Sequence, residues 1–177
     1  MAVDDDGAGC GSEEPELVSR PPESSDLAAL CERLNELGAL YVVIGGFAVI
    51  HSGYPRFTGD LDFLIATDLE NEAKVYEALR SLPDQAVNEL EPGEVSKYNV
   101  VRVADEIVVD LMRAACGIEY EEAAKDVVVR EVHGVPIPFA SPRLLWRMKK
   151  PTHREKDAAD LLFLRRYFEE RGETPPE

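Results

Sequence analysis

At 177 residues the chain is long enough for one domain with a real core and too short for two of ordinary size. Its 19 Lys and Arg against 35 Asp and Glu give a net charge of −16, which argues against a large polyanionic footprint, although the distribution of charge matters more than its sum. No apolar run reaches spanning length and no basic-then-apolar leader opens the chain, so neither membrane nor secretion is indicated and the cytoplasm is the expected compartment. Cys10, Cys31 and Cys116 match no metal-ligand or redox spacing, which suits reducing conditions.

Residues 1–26 carry eight acids against Arg20 among Gly, Ser and Pro. With almost no large apolar side chains to offset the entropy of ordering, residues 1–25 are expected to be a disordered acidic tail. A core over 26–140, a packed helical pair over 141–171 and a short tail over 172–177 complete the expected organisation.

From Asp26 to Leu37, apolar residues at Leu27, Leu30, Leu34 and Leu37 make a helical stripe, with Ser24 and Ser25 as candidate caps and Gly38 as the stop. A strand is expected over Leu40 to Ile44, a short helix over Phe47 to His51 and a strand over Leu61 to Ile65, and Asp68 caps a helix of roughly Leu69 to Leu82. The run SKYNVVRVADEIVVDLM reads as two strands with a tight turn near Ala104 to Glu106, and Asp126 to Phe139 reads as a hairpin hinged at His133-Gly134. Two helices close the chain: Pro142 to Lys150, capped by Ser141 and ended by Pro151, and His153 to about Arg171, opened by a Thr152-x-x-Glu155 capping box. The sum is a mixed α/β domain with a helical carboxyl end.

Asp60 and Asp62 interrupt an otherwise apolar strand. Alternation puts both on one face, about 6.6 Å apart along the backbone, with Leu61 and Phe63 on the other. Paired carboxylates repel by roughly 2–4 kcal/mol at an effective dielectric near 20, and a divalent cation between them reverses the sign. A magnesium site usually needs a third carboxylate, and Asp110 in the apolar run IVVDLM is the candidate if its strand lies beside Leu61 to Ile65. Gly45-Gly46, at a strand-to-helix handover, lets the backbone approach a ligand closely, and the helix amino terminus is a natural phosphate seat.

Late in the chain, Arg143 to Arg166 holds eight Lys or Arg against Glu155, Asp157 and Asp160. At 100° per residue Asp157 falls on the apolar stripe of Leu161, Leu164 and Phe168, and it lies beyond the first turn that the Thr152 cap would set. An inward carboxylate needs a cation, which Lys149, Arg154 or Arg56 can supply. A structural ion pair and a catalytic carboxylate both fit Asp157, and Lys149 has the alternative of contacting phosphate. Lys150 and Lys156 read as surface charges. His51 and His133 lack metal partners, and Trp146 reads as packed between the last helices.

Apolar-Gly-Gly, thirteen residues, Asp-apolar-Asp-apolar and a later strand Asp resemble the nucleotidyltransferase superfamily with the DNA polymerase β-like palm, a mixed, mostly antiparallel sheet with flanking helices. More narrowly, IGGFAVIHSGYPRFTGDLDFLI with SPRLLWRMKKPTHREKDAADLLFL resembles minimal bacterial nucleotidyltransferases related to the AbiEii-type abortive-infection toxins, over roughly Leu27 to Phe168. The resemblance implies two Mg2+ ions, or Mn2+, held by Asp60, Asp62 and Asp110, with a nucleoside triphosphate as substrate and Asp110 as a candidate to take the acceptor's proton. It implies that Gly45 and Gly46 seat phosphates through backbone N–H groups, where many members carry Ser as the second residue. Arg56, Lys149 and Arg154 are the candidate phosphate contacts, and Lys149 and Asp157 the further catalytic candidates. The implied activity is transfer of a nucleoside monophosphate to a hydroxyl of RNA, particularly a tRNA 3′ end, of a small molecule or of a protein, with an antitoxin as a candidate partner. A catalytically silent nucleotide-binding or interaction module is the alternative.

Overall fold

The structure, a computed structural model, describes residues 18–177. Six strands form one sheet in the order β3-β4-β2-β1-β8-β7: β1 Tyr41–Ile44, β2 Asp60–Ile65, β3 Val100–Ala104, β4 Val108–Met112, β7 Val127–Val132 and β8 Val135–Ala140. A two-stranded ribbon, β5 Ala114–Ala115 with β6 Ile118–Glu119, stands apart from it. The pairs β1–β2, β3–β4 and β7–β8 are antiparallel, while β2–β4 and β1–β8 are parallel. Among the described residues seven α-helices accompany the strands: α1 Ser24–Glu36, α2 Gly45–His51, α3 Leu69–Leu79, α4 Glu94–Lys97, α5 Tyr120–Ala123, α6 Pro142–Lys149 and α7 Glu155–Glu170. The expected mixed, mostly antiparallel sheet with a helical carboxyl end is what the chain forms.

Alternation along the central strands sorts the sheet's two faces. Leu61, Phe63, Val109 and Leu111 are at most 1 % exposed and share the core with Leu27, Leu30 and Leu34 of α1. The intervening residues of β2 and β4 carry the acids. Asp68 caps α3 through the Asn71 N–H at 2.9 Å, and Ser141 caps α6 through Leu144 N–H at 3.1 Å with Pro142 in the first turn.

Several boundaries differ from expectation. The expected disordered tail lies outside the described residues up to 17, but Ser19 donates to the Asp105 carbonyl at 2.6 Å and Arg20 grips Asp26 at 2.8 Å. Ser24 and Ser25 are already helical, and Glu23 is the cap, its N–H donating to the Asp26 carboxylate at 2.7 Å. At the other end, Trp146 Nε1 donates to the Pro176 carbonyl at 3.0 Å, so 172–177 is tied to α6 rather than a free tail. α3 ends at Leu79, three residues short, and the ribbon β5–β6 was not expected.

The Thr152 capping box does not form. His153 adopts a left-handed φ of 50°, so the helix starts at Glu155 with Arg154 as its cap. Thr152 instead donates toward Asp157 at 2.6 Å. Asp157 is therefore in the first turn of α7, where the helix dipole favours a carboxylate, and is not beyond it.

Candidate functional site

β1 ends at Ile44, and α2 begins on Gly45 itself, two residues before the expected Phe47. Gly45 has φ +65°, and a Cβ there would overlap the Asp62 carboxylate. Only glycine accepts both conditions. A Cβ on Gly46 would overlap the Thr58 hydroxyl, so Thr58 fills the space that a larger residue at 46 would occupy. Gly45→Ala is expected to strain the backbone and push Asp62 aside, lowering the melting temperature by roughly 5–10 °C; a thermal melt checks it.

Asp62 and Asp110 are direct partners across the parallel β2–β4 pair, and Asp60 sits two residues back on the same face. Each offers an oxygen within 4.8 Å of the others. Burial, and then the charges of Asp60 and Asp110, push the Asp62 carboxyl up to about 7 against the opposing pull of Lys149 and Lys156. Three hard oxygen donors converging on one floor, one of them reluctant to ionise without a counter-charge, fit a hard divalent cation such as Mg2+.

Arg102, which the sequence reading did not single out, faces the cluster from β3. It pairs with Asp110 across the β3–β4 hairpin. Its Nε donates to Asp110 Oδ1 at 2.8 Å and its Nη2 to Asp110 Oδ2 at 2.8 Å, with Asp60 Oδ2 at 3.3 Å. A hairpin centred on Glu106 pairs residues 102 and 110, whereas the expected turn over Ala104 to Glu106, centred on Asp105, would pair 102 with 108.

A second set of charges binds α6, α7 and the loop before β2. Lys149 Nζ reaches Asp157 at 2.8 Å and Asp160 at 3.0 Å, and all three residues are buried. Arg154 Nε donates to Asp157 at 2.8 Å, and Arg56 Nη2 donates to Asp160 at 2.9 Å. Burial alone would raise the Asp157 carboxyl, but hydrogen bonds from Lys149, Thr152 and Arg154 outweigh it and bring it down to about 2. Arg56 is thus the partner of Asp160, an acid that belongs to the Arg154-x-x-Asp157-x-x-Asp160 motif but to which the sequence assigned no role.

One open cleft of about 500 Å³ is lined by all nine sequence candidates: Gly45, Gly46, Arg56, Asp60, Asp62, Asp110, Lys149, Arg154 and Asp157. Lys156, expected to be an ordinary surface charge, lines it too and makes no ion pair among the described residues. Phe57, 74 % exposed, stands at its edge, and Val100, Met112, Leu145 and Met148 give it an apolar side. His51 lies outside the cleft lining, stacked on Phe139 at 4.4 Å, with burial lowering its pKa. Trp146 packs edge-on against Phe168 at 6.3 Å, as the sequence indicated. Among the described residues no helix is long and apolar enough to cross a membrane.

No family model and no curated protein matches the chain. Among solved structures, a protein from Thermotoga maritima described as a nucleotidyltransferase aligns at 19 % identity over 82 % of this chain and 91 % of its own, with a TM-score of 0.48. An antigenic nucleotidyltransferase-like protein from Paracoccidioides brasiliensis aligns at 17 % identity over 81 % of this chain and 75 % of its own, with a TM-score of 0.50. The latter likeness shows that the chain has a nucleotidyltransferase-like fold.

Proposed function

We propose that this chain, built on a nucleotidyltransferase-like fold, transfers a nucleoside monophosphate from a nucleoside triphosphate to an acceptor hydroxyl and releases pyrophosphate. The observation that carries the reading is the convergence of Asp60, Asp62 and Asp110 within 4.8 Å, beside Gly45 and opposite cationic side chains in one cleft. Bound by these three carboxylates, Mg2+ would lower the acceptor hydroxyl's pKa and neutralise charge developing on the phosphates.

The acceptor oxygen forms a bond to the α-phosphorus while the bond from that phosphorus to the bridging oxygen breaks, and pyrophosphate leaves with the electron pair. Asp110 takes the acceptor's proton. Gly45 and Gly46 bring the backbone close to the phosphates without side-chain obstruction. Lys156, exposed and unpaired among the described residues, supplies the free positive charge. Lys149 and Asp157 we assign to positioning, because their charges are spent on each other and on Asp160 and Arg154 while holding α6 against α7.

The AbiEii-like motifs support RNA, and a tRNA 3′ end in particular, as the acceptor, with an antitoxin as partner. Labelled nucleoside triphosphates offered with Mg2+ and bulk RNA, small hydroxylated compounds or protein should give incorporation that EDTA abolishes. Acceptor binding that collapses between low and moderate salt supports RNA, and a flat response supports a small acceptor. The occupation of the acid cluster by Arg102 favours the second reading, a silent nucleotide-binding module. Tight nucleotide binding without turnover on any acceptor would establish that reading instead.

A further inference from the structure

We propose that Arg102 is a built-in counter-ion that holds the acid cluster closed and must leave before a divalent cation enters. This rests on the proposed metal-dependent function and adds to it a residue that competes for the same oxygens. Both oxygens of Asp110 and one of Asp60 accept from its guanidinium, at 2.8, 2.8 and 3.3 Å. A cation held by Asp110 needs an oxygen that already accepts from the arginine.

The contrast with the neighbouring charges argues for release. Lys149 is 7 % exposed and fixed between Asp157 and Asp160, and Arg56 is tied to the same Asp160. The Arg102 side chain is 60 % exposed and sits on β3, the strand at the end of the sheet. Its own side chain lies mostly in solvent, so it can swing out without unpacking the core, but the Asp110 it leaves is only 6 % exposed and needs another counter-charge in its place, which an entering cation supplies. Its fork geometry matches a carboxylate edge, and its charge persists at every pH the protein survives. The competition therefore does not fade as the solution becomes alkaline, as it would for a lysine of depressed pKa.

Two consequences follow from one residue. Without metal, Arg102 compensates carboxylates that would otherwise repel across the strand pair. With metal, that compensation is redundant, and the freed guanidinium stays at the cleft edge where a phosphate can take it.

The test is a Mn2+ titration by calorimetry on the full chain, as wild type, Arg102→Gln and Arg102→Lys, with thermal melts in EDTA and in saturating Mn2+. Arg102→Gln should bind Mn2+ about three- to tenfold more tightly. It should melt below wild type in EDTA and level with it in Mn2+, and Arg102→Lys, which cannot bridge both acids with a planar fork, should fall between. Equal or weaker Mn2+ binding by Arg102→Gln, with its melting temperature in Mn2+ intact, would overturn the arginine's role and leave the proposed function standing. Absence of Mn2+ binding by all the proteins would overturn both. Should Arg102→Gln fail to fold, Arg102→Lys decides: unchanged affinity there also refutes the competition.

Discussion

Asp62→Asn should abolish nucleotide transfer, by at least about a thousandfold, and yet make the metal-free protein more stable above neutral pH. The two effects have one cause. Burial first, and the negative charges of Asp60 and Asp110 second, raise this carboxyl from 3.8 to about 7. The folded chain therefore holds the proton more tightly than the unfolded chain does. Stability from that difference is fully present below about 4, declines as pH rises toward 7 and is absent above it, where folding bears the cost of a forced ionisation. The cost is at most about 4 kcal/mol for a shift of this size. Asparagine keeps the shape and carries no charge, so in EDTA the stability gap between variant and wild type should widen in the variant's favour from pH 5.5 to pH 8. Denaturant titrations at the two pH values measure it. Parallel pH dependences would show that Asp62 is not under electrostatic strain. With metal present the order should reverse, because the wild-type carboxylate gains a counter-charge that the amide cannot use as well.

The repulsive part of that strain is legible in the sequence, and the reason is periodicity. An acid at 60 and another at 62 in an apolar strand must share a face, and the pairing of Asp62 with Asp110 needed only the assumption that their strands are adjacent. Gly45 was readable as a bend, but its tolerance of the Asp62 carboxylate was not, since a close approach between distant segments leaves no local trace. Arg102 was hidden for a different reason: its role follows from hairpin register, and a turn centred one residue earlier pairs it with Val108 in place of Asp110. The end of the chain shows the limit of local rules. Thr152 and Glu155 have the spacing of a capping box, but a left-handed His153 moves the helix start, and the hydroxyl is used by Asp157. In the sequence Lys149 reads as a cation for Asp157 or for phosphate and Lys156 as a surface charge, and the fold changes which of the two is available. Burial separates them, because Lys149 is enclosed by two carboxylates and Lys156 faces the cleft alone.

Asp160→Ala is expected to cost about 3–5 kcal/mol of stability, the range for breaking a buried ionic network from one side. Asp160 is 0 % exposed and receives Lys149 at 3.0 Å and Arg56 at 2.9 Å. Its loss leaves Lys149 to Asp157 alone and Arg56 without its acid. Asp157 then bears more of the network, with a pH dependence opposite to that of Asp62. Its carboxyl is held down to about 2, so its contribution is present above about 4 and is lost as pH falls toward 2. Acid unfolding of wild type should begin with this cluster, and in Asp160→Ala at a higher pH. Lys149→Met with Asp160→Leu should recover only part of the single-variant losses, because Asp157 keeps Thr152 and Arg154 while Arg56 still loses its acid. Activity separates this framework from the chemistry. Lys156→Ala should leave the melting temperature unchanged and raise KM for the triphosphate about tenfold, the loss of one exposed charge on a phosphate. Should Lys149→Met instead keep its melting temperature while Lys156→Ala keeps its KM, the two lysines exchange roles, and the buried one becomes the phosphate contact.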